Sequence, residues 1–217
     1  MTVKLAVFDC DGTLVDGQAS ICEAMETAFT AAGLPAPERN NVRRIVGLSL
    51  PQAMAMLLPQ AEQEQRDLAT AEYRAAYRAA REAGRLAEPL YAGIPALLDG
   101  LRDTGWTLGV ATGKSDRGLA HVLAMHGLSG HFATLQTADR HPSKPHPAML
   151  EAALAEAGCV PRDAVMIGDT AYDMAMAVSA GVRAIGVDWG YHDSAELTAA
   201  GAAHVARSAA DLEELLR

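Results

Sequence analysis

Val3-Lys4-Leu5-Ala6-Val7-Phe8-Asp9-Cys10-Asp11-Gly12-Thr13-Leu14-Val15 is the stretch that decides how the rest of the chain is read. A short apolar run, of the length of a buried strand, stops at an aspartate. A second aspartate follows two residues on, beside a turn-forming glycine. Carboxylates this close repel, and desolvating an unpaired one costs several kcal/mol. A fold tolerates the pair most easily where a cation sits between them or where the site handles protons.

The pattern changes on the C-terminal side of this stretch. Residues 18–33, 38–46, 51–58 and 61–83 read as helices, with Gly33 and Gly84 as stops, and no strand pattern occurs between 16 and 88. From Gly93 onward, helices alternate with apolar strands at 107–111, 132–137, 164–167, 183–187 and 203–206. That alternation predicts an α/β fold, a Rossmann-like parallel sheet flanked by helices. The expected division is a core domain of residues 1–15 and 86–217, interrupted by an all-helical domain at 16–85. Ligands of such sheets bind at the carboxyl ends of the strands, so an insertion leaving that edge is placed to cover the site.

Composition narrows the partners. The 217 residues are half hydrophobic with a formal net charge of −9, which opposes binding to nucleic acid and to anionic membranes. No apolar run approaches the ~20 residues of a membrane span, and the first residues do not form a signal peptide. Three cysteines without paired spacing give neither a disulfide framework nor a zinc signature, so the cytoplasm is the expected location. Oligomeric state is not legible. Within 16–85 nine acids meet eight bases, all arginine, which leaves −8 for the remainder.

Four short motifs fall at the predicted strand ends: Asp9–Thr13, Thr112-Gly113, Lys144-Pro145 and Gly168-Asp169-Thr170-Ala171-Tyr172-Asp173. A parallel sheet brings them to one rim. Carboxylates with water in an octahedral array suit Mg²⁺, while a lysine and a threonine hydroxyl suit a phosphoryl oxygen.

In order and spacing these motifs resemble the four motifs of the haloacid dehalogenase-like superfamily of aspartate-nucleophile phosphohydrolases. The match runs through the whole core, and the helical block is similar to that family's C1-type cap. The runs Leu14-Val15-Asp16 and Lys144-Pro145-His146-Pro147 look most like phosphoglycolate phosphatase. The resemblance implies a Mg²⁺-dependent hydrolase of a small phosphorylated metabolite. It implies Asp9 as nucleophile and Asp11 as general acid and base. Asp9, the Asp11 carbonyl, Asp169 and Asp173 are then expected to hold the metal. Thr112 and Lys144 would neutralise the transferring oxygens, with Gly12 and Gly113 offering backbone amides.

Three departures sharpen that expectation. Dehalogenases of the family lack the second acid, which here is Asp11. Phosphonoacetaldehyde hydrolases need a cap lysine, and residues 16–85 contain none. β-Phosphoglucomutases often carry an arginine soon after a cap Gly-x-Ser, whereas Gly47-Leu48-Ser49 is followed by Leu50-Pro51. A phosphomutase and a catalytically idle binding module remain as alternatives.

Other residues divide into recognition and plain structure. Arg43 is a candidate for a substrate carboxylate or second phosphate, with Arg44 as its neighbour, against a reading of both as solvated helix-face charges. Arg74, Arg78, Arg81 and Arg85, interleaved with Glu72 and Glu82, read as a surface ion-pair face. Cys10 reads as a small core residue. His141, His146 and His192 read as loop residues near the rim. Trp189 and Tyr191 either line the rim or cover the core.

Overall fold

The computed structural model of the protein describes residues 3–217. Strand β1 (Lys4–Phe8) lies at the centre of one six-stranded parallel sheet. The other strands are β2 (Trp106–Thr112), β3 (Thr134–Thr137), β4 (Ala164–Gly168), β5 (Arg183–Val187) and β6 (His204–Ala206). Their spatial order is β3-β2-β1-β4-β5-β6. Phe8 is in register with Val110 on one side and Ile167 on the other.

Side chains alternate across this buried strand. Ala6 and Phe8 pack with helix α5 (Ile94–Asp103), helix α6 (Asp116–Met125) and helix α10 (Ala209–Leu216). Leu5 and Val7 pack with α7 (Ala148–Ala157), α8 (Ala171–Ser179) and α9 (Ser194–Ala199). A strand covered on both faces must be apolar throughout, which is why this segment reads as a continuous run rather than an alternating one.

Residues 18–82 hold four helices: α1 (Gln18–Ala31), α2 (Arg39–Ile45), α3 (Leu50–Leu57) and α4 (Gln63–Glu82). They bury an apolar cluster of their own, including Met25, Phe29, Val42 and Met54, which Tyr191 joins from the loop after β5. No helix among the described residues is long and apolar enough to cross a membrane.

The expected elements are all present, most with ends moved by one or two residues, as hydrogen bonding at frayed termini dictates. One placement differs. Lys144 does not follow a strand directly: β3 ends at Thr137, and the lysine lies seven residues on, in the loop before α7.

Candidate active site

Strand order reverses between β1 and β4, because β2 and β3 lie on one side of β1 while β4, β5 and β6 lie on the other. Connections leave in opposite directions at such a point, opening a crevice at the carboxyl ends. Asp9 follows β1 there, Asp169 follows β4, and Thr112 closes β2.

Asp9 is fully buried. Its Oδ1 accepts the Cys10 N–H at 2.6 Å and lies 2.9 Å from Lys144 Nζ, while Oδ2 has no partner. Lys144, itself buried, reaches Asp173 Oδ1 at 2.6 Å, so one ammonium bridges two carboxylates. Asp173 also caps α8: its Oδ2 accepts the Thr170 hydroxyl at 2.7 Å and the Thr170 N–H at 3.1 Å. Asp169 accepts the Thr13 hydroxyl at 2.7 Å and the Tyr191 N–H at 3.0 Å.

Three buried acids around one ammonium leave an excess of negative charge. Burial pushes the Asp9 carboxyl up to about 7 against the pull of Lys144. Asp169 stands well above the ordinary range, through burial first and then the charges of Asp9 and Asp173. Burial works against the Lys144 ammonium; Asp173 and Asp9 outweigh it and hold the group above its usual value.

These groups fit a hard divalent cation. One oxygen from each of Asp9, Asp169 and Asp173 lies within 4.8 Å of the other two, and Asp9 Oδ2 is a buried acceptor still lacking a donor. The Asp11 side chain stands outside this group and turns the other way. Its Oδ1 pairs with Lys114 Nζ at 3.0 Å, and Lys114 in turn pairs with Glu88 at 2.7 Å. Glu88 also accepts the Tyr77 hydroxyl at 2.7 Å. Burial lifts the Asp11 carboxyl, opposed by Lys114. Burial works the same way on Glu88, but Lys114 and Tyr77 overcome it and hold that carboxyl below its usual value.

A cavity of about 390 Å³ lies between the helical segment and the sheet edge, and of the motif acids only Asp11 reaches it. Two glycines make the approach possible. Gly12 has φ +84°, and a Cβ there would run into the Asp169 carboxylate and the Tyr191 ring. At Gly113 a Cβ would lie 2.5 Å from the Leu48 carbonyl oxygen and 2.6 Å from that of Gly47. The loop between α2 and α3 therefore rests directly on the turn after β2.

Polar contacts fix that loop in place. Arg44 forks Glu196 of α9 at 2.5 and 2.6 Å, and the Ser49 N–H donates to Ser143 Oγ at 2.8 Å. The Tyr172 hydroxyl donates to the Arg44 carbonyl at 3.2 Å. His192 Nδ1 accepts the Ala171 N–H, so the proton on Nε2 faces the Arg44 carbonyl at 3.3 Å.

The structure thus gathers Asp9, Lys144, Asp169 and Asp173, with Asp11, Gly12, Thr112 and Gly113 beside them. Arg43 is not among them: it does not line the cavity, and its Nε is buried without a partner. Arg44, its neighbour, is a docking residue. Arg74, Arg78 and Arg81 correct the expectation of an ion-pair face. All three line the cavity, and none has a carboxylate at ion-pair distance among the described residues. His192 and Tyr191 are buried rather than rim residues, and Cys10 is a core residue as expected. Sequence reasoning passed over Lys114 and Glu88. Lys114 carried a signal, as one of only three lysines and two residues after Thr112, whereas Glu88 carried none.

A switch-point crevice holding buried carboxylates and one lysine defines a class of α/β hydrolase. The family model described as "Haloacid dehalogenase-like hydrolase" matches residues 6–187, and the chain belongs to that family. It is 37% identical over 204 residues to "Probable phosphatase IndB" of Dickeya dadantii, covering 90% of this chain and 86% of that one. It is 28% identical over 220 residues to the phosphoglycolate phosphatase of Vibrio parahaemolyticus, covering 99% and 96%. Among solved structures, a "predicted phosphatase" from Clostridium acetobutylicum superposes with a TM-score of 0.88 at 26% identity, over 100% of this chain and 99% of that one. The protein is a phosphatase of this family.

Proposed function

We propose that the protein hydrolyses a small phosphorylated metabolite through an aspartyl-phosphate on Asp9, with Mg²⁺ bound at Asp9, Asp169, Asp173 and the Asp11 carbonyl. The observation that carries this reading is Asp9 itself, buried, tethered through Oδ1 to Lys144 and left with a free Oδ2. When bound, the ion offsets the repulsion between carboxylate and phosphate and polarises the phosphoryl oxygens.

The chain's own residues do the rest. An Asp9 oxygen attacks phosphorus as the ester P–O bond breaks, and Asp11 gives its proton to the departing alkoxide. The raised affinity of Asp11 for a proton suits it to that donation. Water then attacks the same phosphorus, Asp11 takes its proton, and Asp9 is released with inorganic phosphate. Lys144 and the Thr112 hydroxyl, whose Oγ1 accepts the Lys114 N–H at 3.2 Å, are assigned to the phosphoryl oxygens, with amides near Gly12 and Gly113.

Residues 16–85 act as the cap. A Cβ built on Gly47 would lie 3.8 Å from Asp9 Oδ2, so the cap loop covers the nucleophile, and substrate entry requires it to lift. Phosphoglycolate is the first compound to test, since relatives along the full chain carry that name. A cytoplasmic location accords with three free, buried cysteines.

The test is phosphate release with Mg²⁺ from a panel of small phosphoesters, comparing wild type with Asp9→Asn. Mg²⁺-dependent turnover that Asp9→Asn abolishes is the expected result. No turnover on any ester would favour an idle binding module, and label passing to a sugar rather than to water would favour a mutase.

A further inference from the structure

The cavity beside Asp11 carries more positive charge than hydrolysis of a neutral-headed ester needs. Its lining includes Arg74, Arg78 and Arg81 of α4 and Arg117 of α6, against the acids Asp11 and Asp139. The three α4 arginines follow helical spacing and share one face that borders the cavity, Arg74 and Arg78 at its solvent-exposed side and Arg81 half-buried. None of the four has a carboxylate within ion-pair distance among the described residues, although Glu72 and Glu82 are close in sequence. Arg81 Nε is buried with no hydrogen-bond partner. In a chain of net charge −9, four guanidiniums without a carboxylate at ion-pair distance border one cavity. Lys114 does not share this surplus, because Asp11 and Glu88 already hold it.

Size points the same way. At ~30 Å³ per water, 390 Å³ has room for about a dozen, far more than a glycolate leaving group fills. An aromatic wall of Tyr73 and Tyr77, stacked at 5.7 Å between centroids, lines the same space.

We infer that the substrate's leaving group is larger than glycolate and bears a second anionic group, a phosphate or a carboxylate, which Arg74, Arg78, Arg81 and Arg117 read as specificity residues. The inference rests on the phosphatase reading above for where the scissile ester sits. With that ester against Asp11 and Gly113, the leaving group projects toward α4 and the start of α6. Planar guanidinium forks then meet either oxyanion with paired hydrogen bonds.

Two matched pairs test it: ethyl phosphate against phosphoglycolate, and glucose 6-phosphate against glucose 1,6-bisphosphate. For the Mg²⁺-loaded enzyme, kcat/KM should favour the member with the extra anion by about ten- to a hundredfold, more strongly in the larger pair. Arg78→Gln with Arg117→Gln should bring that ratio toward one. Arg85→Gln, whose arginine lies past the end of α4 and outside the cavity lining, should leave it intact. Ratios near one in the wild type would overturn the inference. A second arm needs no turnover: calorimetric titration of Asp9→Asn with the same pairs should show the same preference, lost in the arginine variants. Absent turnover with an intact binding preference would sink the phosphatase reading alone. Equal binding within each pair would sink this one.

Discussion

Replacing Asp9 by asparagine should stabilise the metal-free protein. The carboxyl is fully buried among Asp169, Asp173 and Asp11, and its proton affinity rises from an ordinary 3.8 to about 7 even with Lys144 alongside. A gap of about three units, at ~1.36 kcal/mol each, sets a ceiling of about 4 kcal/mol on the cost of holding that charge at pH 8. Asparagine keeps an acceptor for the Cys10 N–H and Lys144 while removing the buried negative charge. We expect a gain of about 2–4 kcal/mol, or between about 4 and 16 °C in Tm for a chain of this size. The sign follows from linkage. A group whose affinity is raised by folding contributes stability that is whole below its unfolded value and disappears as pH climbs through its folded value. Wild type and variant should therefore melt together near pH 4 and separate between pH 4 and 7. Thermal melts in EDTA across that range read the difference, and millimolar Mg²⁺ should narrow it by binding the wild type. A wild type at least as stable as Asp9→Asn at pH 8 in EDTA would refute the account of this site as a charge excess awaiting a cation.

Three further outcomes follow from the same geometry. Lys144→Met removes the ammonium shared by Asp9 and Asp173 and should cost about 3–5 kcal/mol at pH 8, with part recovered at pH 5; a loss independent of pH would show that packing rather than charge is at stake. Gly113→Ala drives a methyl against the Gly47 and Leu48 carbonyls and should weaken the contact of the α2–α3 loop by about 1–3 kcal/mol, seen as faster amide exchange over residues 46–49 with Tm little changed. Arg44→Ala and Glu196→Ala break a pair whose side chains are 43% and 35% exposed, so a double-mutant cycle should give a coupling below about 1 kcal/mol; a value above about 2 would mean that the pair is screened less than its exposure implies.

Much of the site was legible because the relevant chemistry is local. Asp9 and Asp11 stand two residues apart at the end of an apolar run, and Asp169 and Asp173 flank a helix start whose capping box is itself a sequence pattern. The arginines of α4 were misread for a physical reason. Helical spacing establishes that Arg74, Arg78 and Arg81 share a face, but it cannot say what that face looks at. Glu72 and Glu82 offered partners in sequence that the folded chain does not use. Arg43 and Arg44 divide for the same reason, one with its Nε buried without a partner and the other tied to Glu196, 152 residues away.

By itself the sequence determined the alternation of strands and helices, the helical segment between the first strand and the rest of the sheet, and the neighbourhood of Asp9, since each depends on periodicity or on residues a few positions apart. Only the tertiary structure decided which cations meet which acids. Lys144 reaches Asp9 from a loop well past β3, and Lys114 joins Asp11 to Glu88 from the turn after β2. Such pairings arise from the crossing of strands at the reversal point and from the docking of α4 over it. Charge complementarity between segments distant along the chain leaves no periodic trace in either one.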